Sequence, residues 1–238
     1  NLAPMALGEM TDGVTPLAMA GAYQIFGNGG IYTEPYSYTR VETADGTVIL
    51  EHTPISNRVI SSESATVLNH LLQGVTTGTY GTGTTAKFSA MPVAGKTGTS
   101  DNDNNQWFIG VTPYYVGVCW LGYDIPEQIR YYSYAPPIIY KNIMGPIHQN
   151  LAVVQFQDDP DVEVLEYCTI TGDLAGDDCE TTATGWYKPS NIPPVCDGDH
   201  DVNKKDEDEE DQDQDEDEKR DEDEEDDRRS SRDDEDEE

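Results

Sequence analysis

The segment PVAGKTGTS, residues 92–100, runs into the polar turn SDNDNN and then into WFIGVTP, residues 107–113. Apolar, strand-like runs cover 91–99, 107–111 and 115–123, and turn-forming side chains separate the first two. Consecutive strands joined by short turns pair antiparallel. This part of the chain therefore predicts three neighbouring strands in a largely antiparallel sheet.

A helix and a hairpin are predicted before this sheet. Thr15 can cap a helix and Pro16 is tolerated at its first position, whereas the glycine turn at 27–30 ends the helix. Residues 31–41 have strand character, and a turn at 44–46 leads into a returning strand.

Two further helices complete the predicted fold. One begins at the serine pair 61–62 and is followed by a Thr- and Gly-rich stretch, 74–83, that cannot hold a helix. The buried face of this helix is expected to comprise Val67, Leu68, Leu71, Leu72 and Val75. A closing helix over 138–149 is interrupted at 145–146. Helices packed on an antiparallel sheet make the predicted fold class α+β.

Lys96, Thr97 and Gly98 stand at the end of the first predicted strand of the sheet. A lysine ammonium and a threonine hydroxyl on an exposed strand edge can hold a carboxylate by charge and hydrogen bonding. Gly98 removes a side chain where a substrate backbone must approach, and backbone N–H groups of the strand can face a developing oxyanion. A lone KTG tripeptide is also typical of an ordinary surface strand, so its surroundings decide the interpretation.

The surroundings resemble the class A penicillin-binding proteins. A KTG strand followed by a Trp-Phe strand and a Thr-Pro turn is this family's order, and KTG is one of its three motifs. Four more stretches are similar to the family: its helix ended by Gly-Gly (14–37), its Gly/Thr loop (72–88), its next strand (116–124) and the Cys-containing extension of Gram-positive members (167–200).

The resemblance implies a partial transpeptidase domain of the penicillin-binding and serine β-lactamase-like fold over residues 1–150. It implies a parent protein that cross-links peptidoglycan stem peptides through an acyl-serine, binds β-lactams and needs no cofactor. Lys96, Thr97, Gly98 and Thr99 would hold the substrate's terminal carboxylate, and the backbone N–H of Thr99 would be an oxyanion donor. The implied location is the outer face of the cell membrane of a Gram-positive bacterium.

The sequence departs from the family at its nucleophile, because no serine has a lysine three residues later. Ser100-Asp101-Asn102 matches the S-D-N motif in letters, but it follows KTG in a turn, whereas the family places S-D-N before KTG. We interpret it as a coincidence. The nucleophile and its lysine, a membrane anchor and a glycosyltransferase domain are therefore expected upstream of Asn1. On this interpretation the chain alone is inactive, and it folds incompletely because upstream helices cover one face of its sheet.

The remaining candidate side chains are predicted to be structural. Trp107 is expected in the core or in the cleft wall. The four histidines, His52, His70, His148 and His200, are expected to be surface or hydrogen-bonded residues rather than catalytic bases.

Charge is concentrated at the end of the chain: 27 of the 47 acidic residues and 7 of the 14 basic ones lie in 197–238. This stretch lacks Phe, Trp, Tyr, Leu and Ile, which predicts a disordered acidic tail over 201–238, either a solvated extension or a binder of divalent cations or wall components. The excess of acidic residues argues against nucleic acid as a partner. The sequence contains no run of 18 apolar residues, so no membrane span is predicted in it.

Cys119 lies in an apolar strand pattern and is expected to be a buried small hydrophobe. The other three cysteines fall in a small Cys-containing extension over 151–200. In an exported protein the simplest pairing is a Cys168–Cys179 disulfide, which leaves Cys196 unpaired. A zinc site of Cys168, Cys179, Cys196 and His200 is the alternative, but its spacings match no compact zinc knuckle, so no metal ligand is assigned.

Three functions remain to be compared. The first is a fragment of a bifunctional peptidoglycan synthase, and the second a β-lactamase-fold hydrolase or penicillin sensor. The third is a degenerate, non-catalytic cell-wall binding module. The Cys-containing extension and the hairpin after Gly-Gly disfavour the second, and an S-x-x-K motif upstream would favour the first over the third.

Overall fold

The computed structural model describes residues 8, 10, 13–130 and 135–200 and divides the chain into two compact units. The first unit extends to Glu163 and includes Trp186–Asn191, and the second comprises Val164–Gly185 and the chain from Ile192 onward. The predicted acidic tail, 201–238, lies outside the described residues. Among the described residues, no helix combines the length and the apolar character that a membrane crossing requires.

The described elements follow one another in the order predicted for the sheet region. The helices are α1 (Pro16–Tyr23), α2 (Ser62–Thr77) and α3 (Ala135–His148). The strands are β1 (Ile31–Thr33), β2 (Arg40–Glu42), β3 (Val48–Glu51), β4 (Ser56–Arg58), β5 (Ala94–Thr99), β6 (Asn105–Val111), β7 (Val116–Gly122), β8 (Glu163–Cys168) and β9 (Thr182–Tyr187).

The central sheet has the order β5-β6-β7, and both of its pairings are antiparallel. The register places Gly98 opposite Trp107, and Trp107 opposite Trp120. With helices packed against this sheet, the predicted α+β class is confirmed. Strands β8 and β9 form a separate two-stranded sheet.

Helix α3 packs closely on one face of the sheet through Tyr140. The Tyr140 ring lies 5.0 Å from the Phe108 ring, in an edge-to-face arrangement. A Cβ atom at Gly110 would lie 2.5 Å from Tyr140 Cζ, and one at Gly117 would lie 2.8 Å from Tyr140 Cε2. These two strand positions are glycines because the tyrosine ring occupies the space of their side chains. Val111, which points to the opposite face, instead meets Gly27 after α1.

The first helix begins as predicted, but the following strand is shorter than predicted. The hydroxyl of Thr15 accepts a hydrogen bond from the N–H of Ala18 at 3.1 Å, and Pro16 starts α1. The predicted strand 31–41 is broken into β1 and β2 around Pro35, which has no N–H to donate to a ladder. The predicted hairpin is β2–β3, whereas β1 pairs with β4, a strand that the sequence analysis missed.

The predicted buried face of α2 is only partly correct, because Val67, Leu72 and Val75 are half-buried whereas Leu68 and Leu71 are exposed. Leu68 is 38% exposed and Leu71 is 65% exposed, whereas the buried side chains are Ala65, Thr66, Asn69 and Thr76. Two of these polar groups are buried because each has a partner. The Asn69 amide donates to the carbonyl of Phe26 at 2.8 Å, and the Thr76 hydroxyl donates to that of Val93 at 2.6 Å.

Two other predicted helix boundaries are also corrected. Helix α2 continues through Gly74 to Thr77, where the threonine hydroxyl donates to the carbonyl of Gln73 at 2.8 Å. Helix α3 begins at Ala135 and runs through Pro146 without interruption, two residues before its end.

The contacts of Tyr140 predict that Gly110→Ala destabilises the first unit. The added methyl group meets the ring of Tyr140, which is buried and packed against Phe108, so we expect a loss of about 1–3 kcal/mol in the free energy of unfolding. The matched control is Gly74→Ala in α2, where a Cβ atom meets nothing within 4 Å. It should stabilise by about 0.4–1 kcal/mol. Urea unfolding followed by tryptophan fluorescence measures both changes, and equal midpoints for the two variants would contradict this packing.

Candidate active site

The KTG segment lies on the open edge of the central sheet. Strand β5 pairs with β6 on one side, and within residues 13–130 and 135–200 no strand lies on its other side. Lys96 and Thr99 are exposed, and Thr97 and Gly98 are half-buried. The predicted exposed strand edge is therefore present.

The hydrogen-bond register decides which backbone groups of β5 face outward. The N–H of Ser100 donates to the carbonyl of Asn105 at 3.0 Å, so this facing pair is hydrogen-bonded. Hydrogen-bonded pairs alternate with non-bonded pairs in an antiparallel ladder. The Gly98 pair with Trp107 is then hydrogen-bonded, whereas the backbone N–H and C=O groups of Thr97 and Thr99 point away from β6.

The far side of β6 gives the same register independently. The N–H of Thr112 donates to the carbonyl of Tyr115 at 2.8 Å, which makes this a bonded pair between the ends of β6 and β7. Even-numbered residues of β6 therefore bond to β7, and odd-numbered residues are left to bond to β5. Both observations leave the polar backbone of Thr97 and Thr99 at the open edge.

Side chains concentrate hydrogen-bonding groups at this edge. The ammonium group of Lys96 donates to the carbonyl oxygen of Thr97 at 3.1 Å. The hydroxyl of Thr97 lies 2.7 Å from the hydroxyl of Thr82, in the loop after α2. A cation and two hydroxyl groups thus stand beside backbone donors that have no partner in the sheet.

Packing requires a glycine at one of the two glycine positions of β5 but not at the other. A Cβ atom at Gly95 would lie 2.7 Å from both Ile109 O and Phe108 Cζ, so the fold itself requires glycine there. At Gly98 the nearest atom is Trp107 Cβ at 3.5 Å, an ordinary van der Waals distance. The packing of the described residues therefore does not explain the glycine of KTG, whereas a ligand that approaches this face would.

The loop that carries Thr82 is held by two glycines. The N–H of Gly83 donates to the carbonyl of Val75 at 3.0 Å, and a Cβ atom at Gly83 would come within 3.0 Å of the Phe108 ring. A Cβ atom at Gly81 would lie 2.3 Å from Val75 O. This close approach brings Thr82 to Thr97. The sequence analysis identified the loop but not Thr82, because spacing along the chain does not show which loop residue reaches β5.

Ser100, Asp101 and Asn102 lie in the turn between β5 and β6, as expected for a chance match to S-D-N. Asp101–Asp103 form one turn of 3-10 helix, and Asn102 has a φ of 59°. The Trp107 ring is half-buried and lies 6.2 Å from the Trp120 ring on the face opposite Phe108, consistent with a wall position.

Three of the histidines occupy structural positions. His148 is buried, its Nδ1 donates to the carbonyl of Met144 at 2.7 Å, and its Nε2 lies 2.9 Å from the Thr112 hydroxyl. His70 stacks on the Trp186 ring at 4.0 Å. The His52 ring lies 4.8 Å from that of Tyr36.

The cysteines differ from the prediction. All four are free thiols, so the predicted Cys168–Cys179 disulfide is not present. Cys119 is half-buried against the core, and burial raises the pKa of its thiol. Cys168, Cys179, Cys196 and His200 instead converge, with their ligand atoms within 4.8 Å of one another. His200 was predicted to be a surface or hydrogen-bonded side chain, and its ring nitrogen faces three sulfur atoms.

Comparison with known sequences gives one family and consistent relatives. Residues 1–145 match the penicillin binding protein transpeptidase domain. Penicillin-binding protein 1A of Clostridium botulinum (strain Langeland) is 39% identical over 175 residues, which are 73% of this chain and 21% of that protein. Penicillin-binding protein 1A of Clostridium acetobutylicum is 42% identical over 154 residues, which are 64% of this chain and 19% of that protein.

Solved structures give the same fold. Penicillin-Binding Protein 1A from Haemophilus influenzae superposes with a TM-score of 0.65 at 20% identity, over 76% of this chain and 33% of that one. The D,D-transpeptidase domain of a peptidoglycan glycosyltransferase from Eggerthella lenta gives a TM-score of 0.50 at 26% identity, over 59% of this chain and 33% of that one.

The chain spans about a fifth of the length of the curated relatives that it matches. The resemblance to class A penicillin-binding proteins that the sequence indicated is confirmed by these relatives. The domain match covers more than half of the residues of this chain, so the chain belongs to the penicillin-binding protein transpeptidase family.

Proposed function

We propose that this chain supplies the substrate-holding strand of a peptidoglycan D,D-transpeptidase. The observation that carries the proposal is the open edge of β5, where backbone groups of Thr97 and Thr99 without a sheet partner stand beside the Lys96 ammonium and the Thr97 hydroxyl. An extended peptide can add to such an edge through main-chain hydrogen bonds. The stem peptide of peptidoglycan, which ends in D-Ala-D-Ala, is the substrate.

The terminal carboxylate of the donor peptide is bound by Lys96 and Thr97. Hydrogen bonds between charged partners are about twice as strong as neutral ones, so a carboxylate competes well with the Thr97 carbonyl for the lysine ammonium. Both groups stand near the exposed end of β5. Binding the carboxylate places the preceding peptide bond along the strand.

In the acylation step, the oxygen of a serine outside this chain attacks the carbonyl carbon of the penultimate D-Ala. The C–N bond to the terminal D-Ala breaks, and that residue leaves as the free amine after it receives a proton. The N–H of Thr99 donates to the oxyanion that forms on the attacked carbonyl oxygen. An amine of a neighbouring strand then takes the acyl group and releases the serine. β-Lactams acylate the same serine and present their carboxylate to the same residues.

The parent protein is a class A synthase. Its relatives carry the name penicillin-binding protein 1A, and one structural neighbour is described as part of a peptidoglycan glycosyltransferase. The parent therefore also polymerises glycan through a second domain. A membrane anchor outside this chain holds it at the outer face of the membrane.

Lys96→Met in the complete synthase tests carboxylate binding. Removing one charge-assisted hydrogen bond costs about 1.5–3 kcal/mol, so acylation by a fluorescent penicillin should slow by about 10- to 100-fold. The matched control is Lys141→Met, an exposed lysine on α3, which should react at the rate of the unchanged protein. Equal rates for both variants would argue against the assigned role of Lys96. No adduct on the unchanged synthase would favour a non-catalytic cell-wall module instead.

Gly98→Ala tests whether the glycine at position 98 is needed for ligand binding rather than for folding. The methyl group at residue 98 makes only an ordinary contact with Trp107, so the melting temperature should stay unchanged, while penicillin acylation slows by about 10-fold or more as the methyl obstructs the bound ligand. Gly95→Ala is the paired variant, and it should lower the melting temperature. A Gly98→Ala protein that acylates normally would show that no ligand approaches this position.

Thr82→Val tests whether the loop positions the KTG threonine. Loss of one neutral hydrogen bond costs about 1 kcal/mol, so acylation should slow by about 5-fold. Thr85→Val, an exposed threonine in the same segment, serves as the control and should leave the rate unchanged. The effect should appear in the concentration dependence of acylation rather than in its pH profile, because no titrating group is changed.

A further inference from the structure

The second compact unit contains a convergent set of metal-binding side chains that the transpeptidase site does not use. The ring Nε2 of His200 lies 3.5 Å from Cys168 Sγ, 3.7 Å from Cys179 Sγ and 3.5 Å from Cys196 Sγ. All four ligand atoms lie within 4.8 Å of one another. We refer to these four residues as the Cys3His cluster.

The sulfur-to-nitrogen spacing of the cluster fits a tetrahedral metal site. With Zn–S near 2.3 Å and Zn–N near 2.0–2.1 Å, a tetrahedron requires sulfur-to-nitrogen edges of about 3.6 Å. The three measured sulfur-to-nitrogen distances fall within about 0.1 Å of that value. Hydrogen bonding to three sulfur atoms at once cannot account for this arrangement, since one ring nitrogen carries at most one proton.

Backbone hydrogen bonds hold the ligands in place from three separate segments. The N–H of Cys168 donates to the carbonyl of Asp173, and the N–H of Cys196 donates to that of Leu174, each at 2.8 Å. A Cβ atom at Gly176 would lie 2.6 Å from Cys196 O, so glycine is required for the approach of these segments. The backbone of Cys168 and Cys196 is therefore held by hydrogen bonds of the unit itself.

A peptide N–H group also faces one of the sulfur atoms. The N–H of Gly176 donates to Cys179 Sγ at 3.4 Å. Donors aimed at sulfur stabilise thiolate, the form in which cysteine binds a metal. Such outer contacts also orient ligands around a metal.

The unit has little else to stabilise it. Among its described residues, 164–185 and 192–200, the buried apolar side chains are those of Cys168 and Cys196, which are 0% and 7% exposed. The described part of the unit is small, and folds below about 40 residues usually need disulfides, a metal or oligomerisation to remain folded. A disulfide between two of these cysteines would leave a third thiol and an imidazole at the same point, whereas a metal uses all four groups.

We propose that Cys168, Cys179, Cys196 and His200 bind one structural Zn²⁺ ion that holds the second unit together. Three thiolates and one imidazole are a typical structural zinc set, and softer ligands disfavour Mg²⁺ and Ca²⁺. Four protein ligands close the coordination sphere, so the ion has no open position for a substrate. The site is therefore structural, and it stands independently of the transpeptidase proposal.

Cobalt titration of the complete chain, purified under reducing conditions and stripped of metal, tests the site. We expect one equivalent of Co²⁺ to produce thiolate-to-cobalt charge transfer and the visible bands of a tetrahedral complex, and Zn²⁺ to displace it. Carboxylates of the acidic segment produce neither signal. Cys196→Ser and His200→Ala should each weaken binding by on the order of 100-fold, as expected for loss of one of four ligands. Cys119→Ser is the matched control and should bind like the unchanged chain.

A second measurement keeps the test decisive if a ligand variant fails to fold. Hydrogen exchange of the unchanged chain is compared with and without a chelator. The chelator should remove protection at the amides of Cys168, Leu174 and Cys196 and leave the protection of the β6 amides unchanged. Absence of charge transfer, unchanged exchange after chelation, or a Cys168–Cys179 disulfide in the protein as isolated would each overturn the proposal.

Discussion

The pairing of β5 with β6 on one side only is the constraint on which the site depends. An antiparallel ladder alternates bonded and non-bonded pairs, and the bond from Ser100 to Asn105 sets its phase. That phase leaves the backbone of Thr97 and Thr99 unpaired in the sheet. A shift of one residue would turn those groups toward β6 and exchange the faces of Lys96 and Thr97. Register, more than composition, therefore leaves these backbone groups of the KTG segment at an open edge of the sheet.

Phe108 joins this edge to the core. It lies opposite Thr97, its ring packs against Tyr140, and it fills the space beside Gly83 and Gly95. The loop that brings Thr82 to Thr97 thus rests on the same ring that α3 packs against. Because close-packed interiors transmit small displacements, a change in the packing of Phe108 reaches the site without touching a ligand.

The two units are stabilised by different physical means. The first has a buried apolar cluster of Ala86, Val93, Phe108, Tyr140 and Met144. In the second, the buried apolar side chains among the described residues are cysteines, held by backbone hydrogen bonds around one point. Hydrophobic burial grows with the size of a unit, so a small one needs a covalent or metal link instead. The Cys3His cluster is placed where such a link is needed.

The sequence by itself determined the α+β class, the start of α1, the three strands of the sheet and the family. These features depend on local signals in the sequence. Thr15 and Pro16 start a helix, apolar runs mark the strands, and the KTG strand followed by the Trp-Phe strand and the Thr-Pro turn marks the family. The role of Lys96 and its neighbours came from the resemblance, and remains a proposal that the open edge supports.

Only the tertiary structure decided which groups meet. It buried Asn69 and Thr76 in place of Leu68 and Leu71, because a buried polar group is tolerated when a distant carbonyl accepts its hydrogen bond. It brought Thr82 to Thr97, and it brought His200 to three cysteines whose spacing matches no compact motif. Ligand spacing along a chain predicts a metal site only when one turn or hairpin carries the ligands. Here separate segments carry them, so chain folding alone determines the distances.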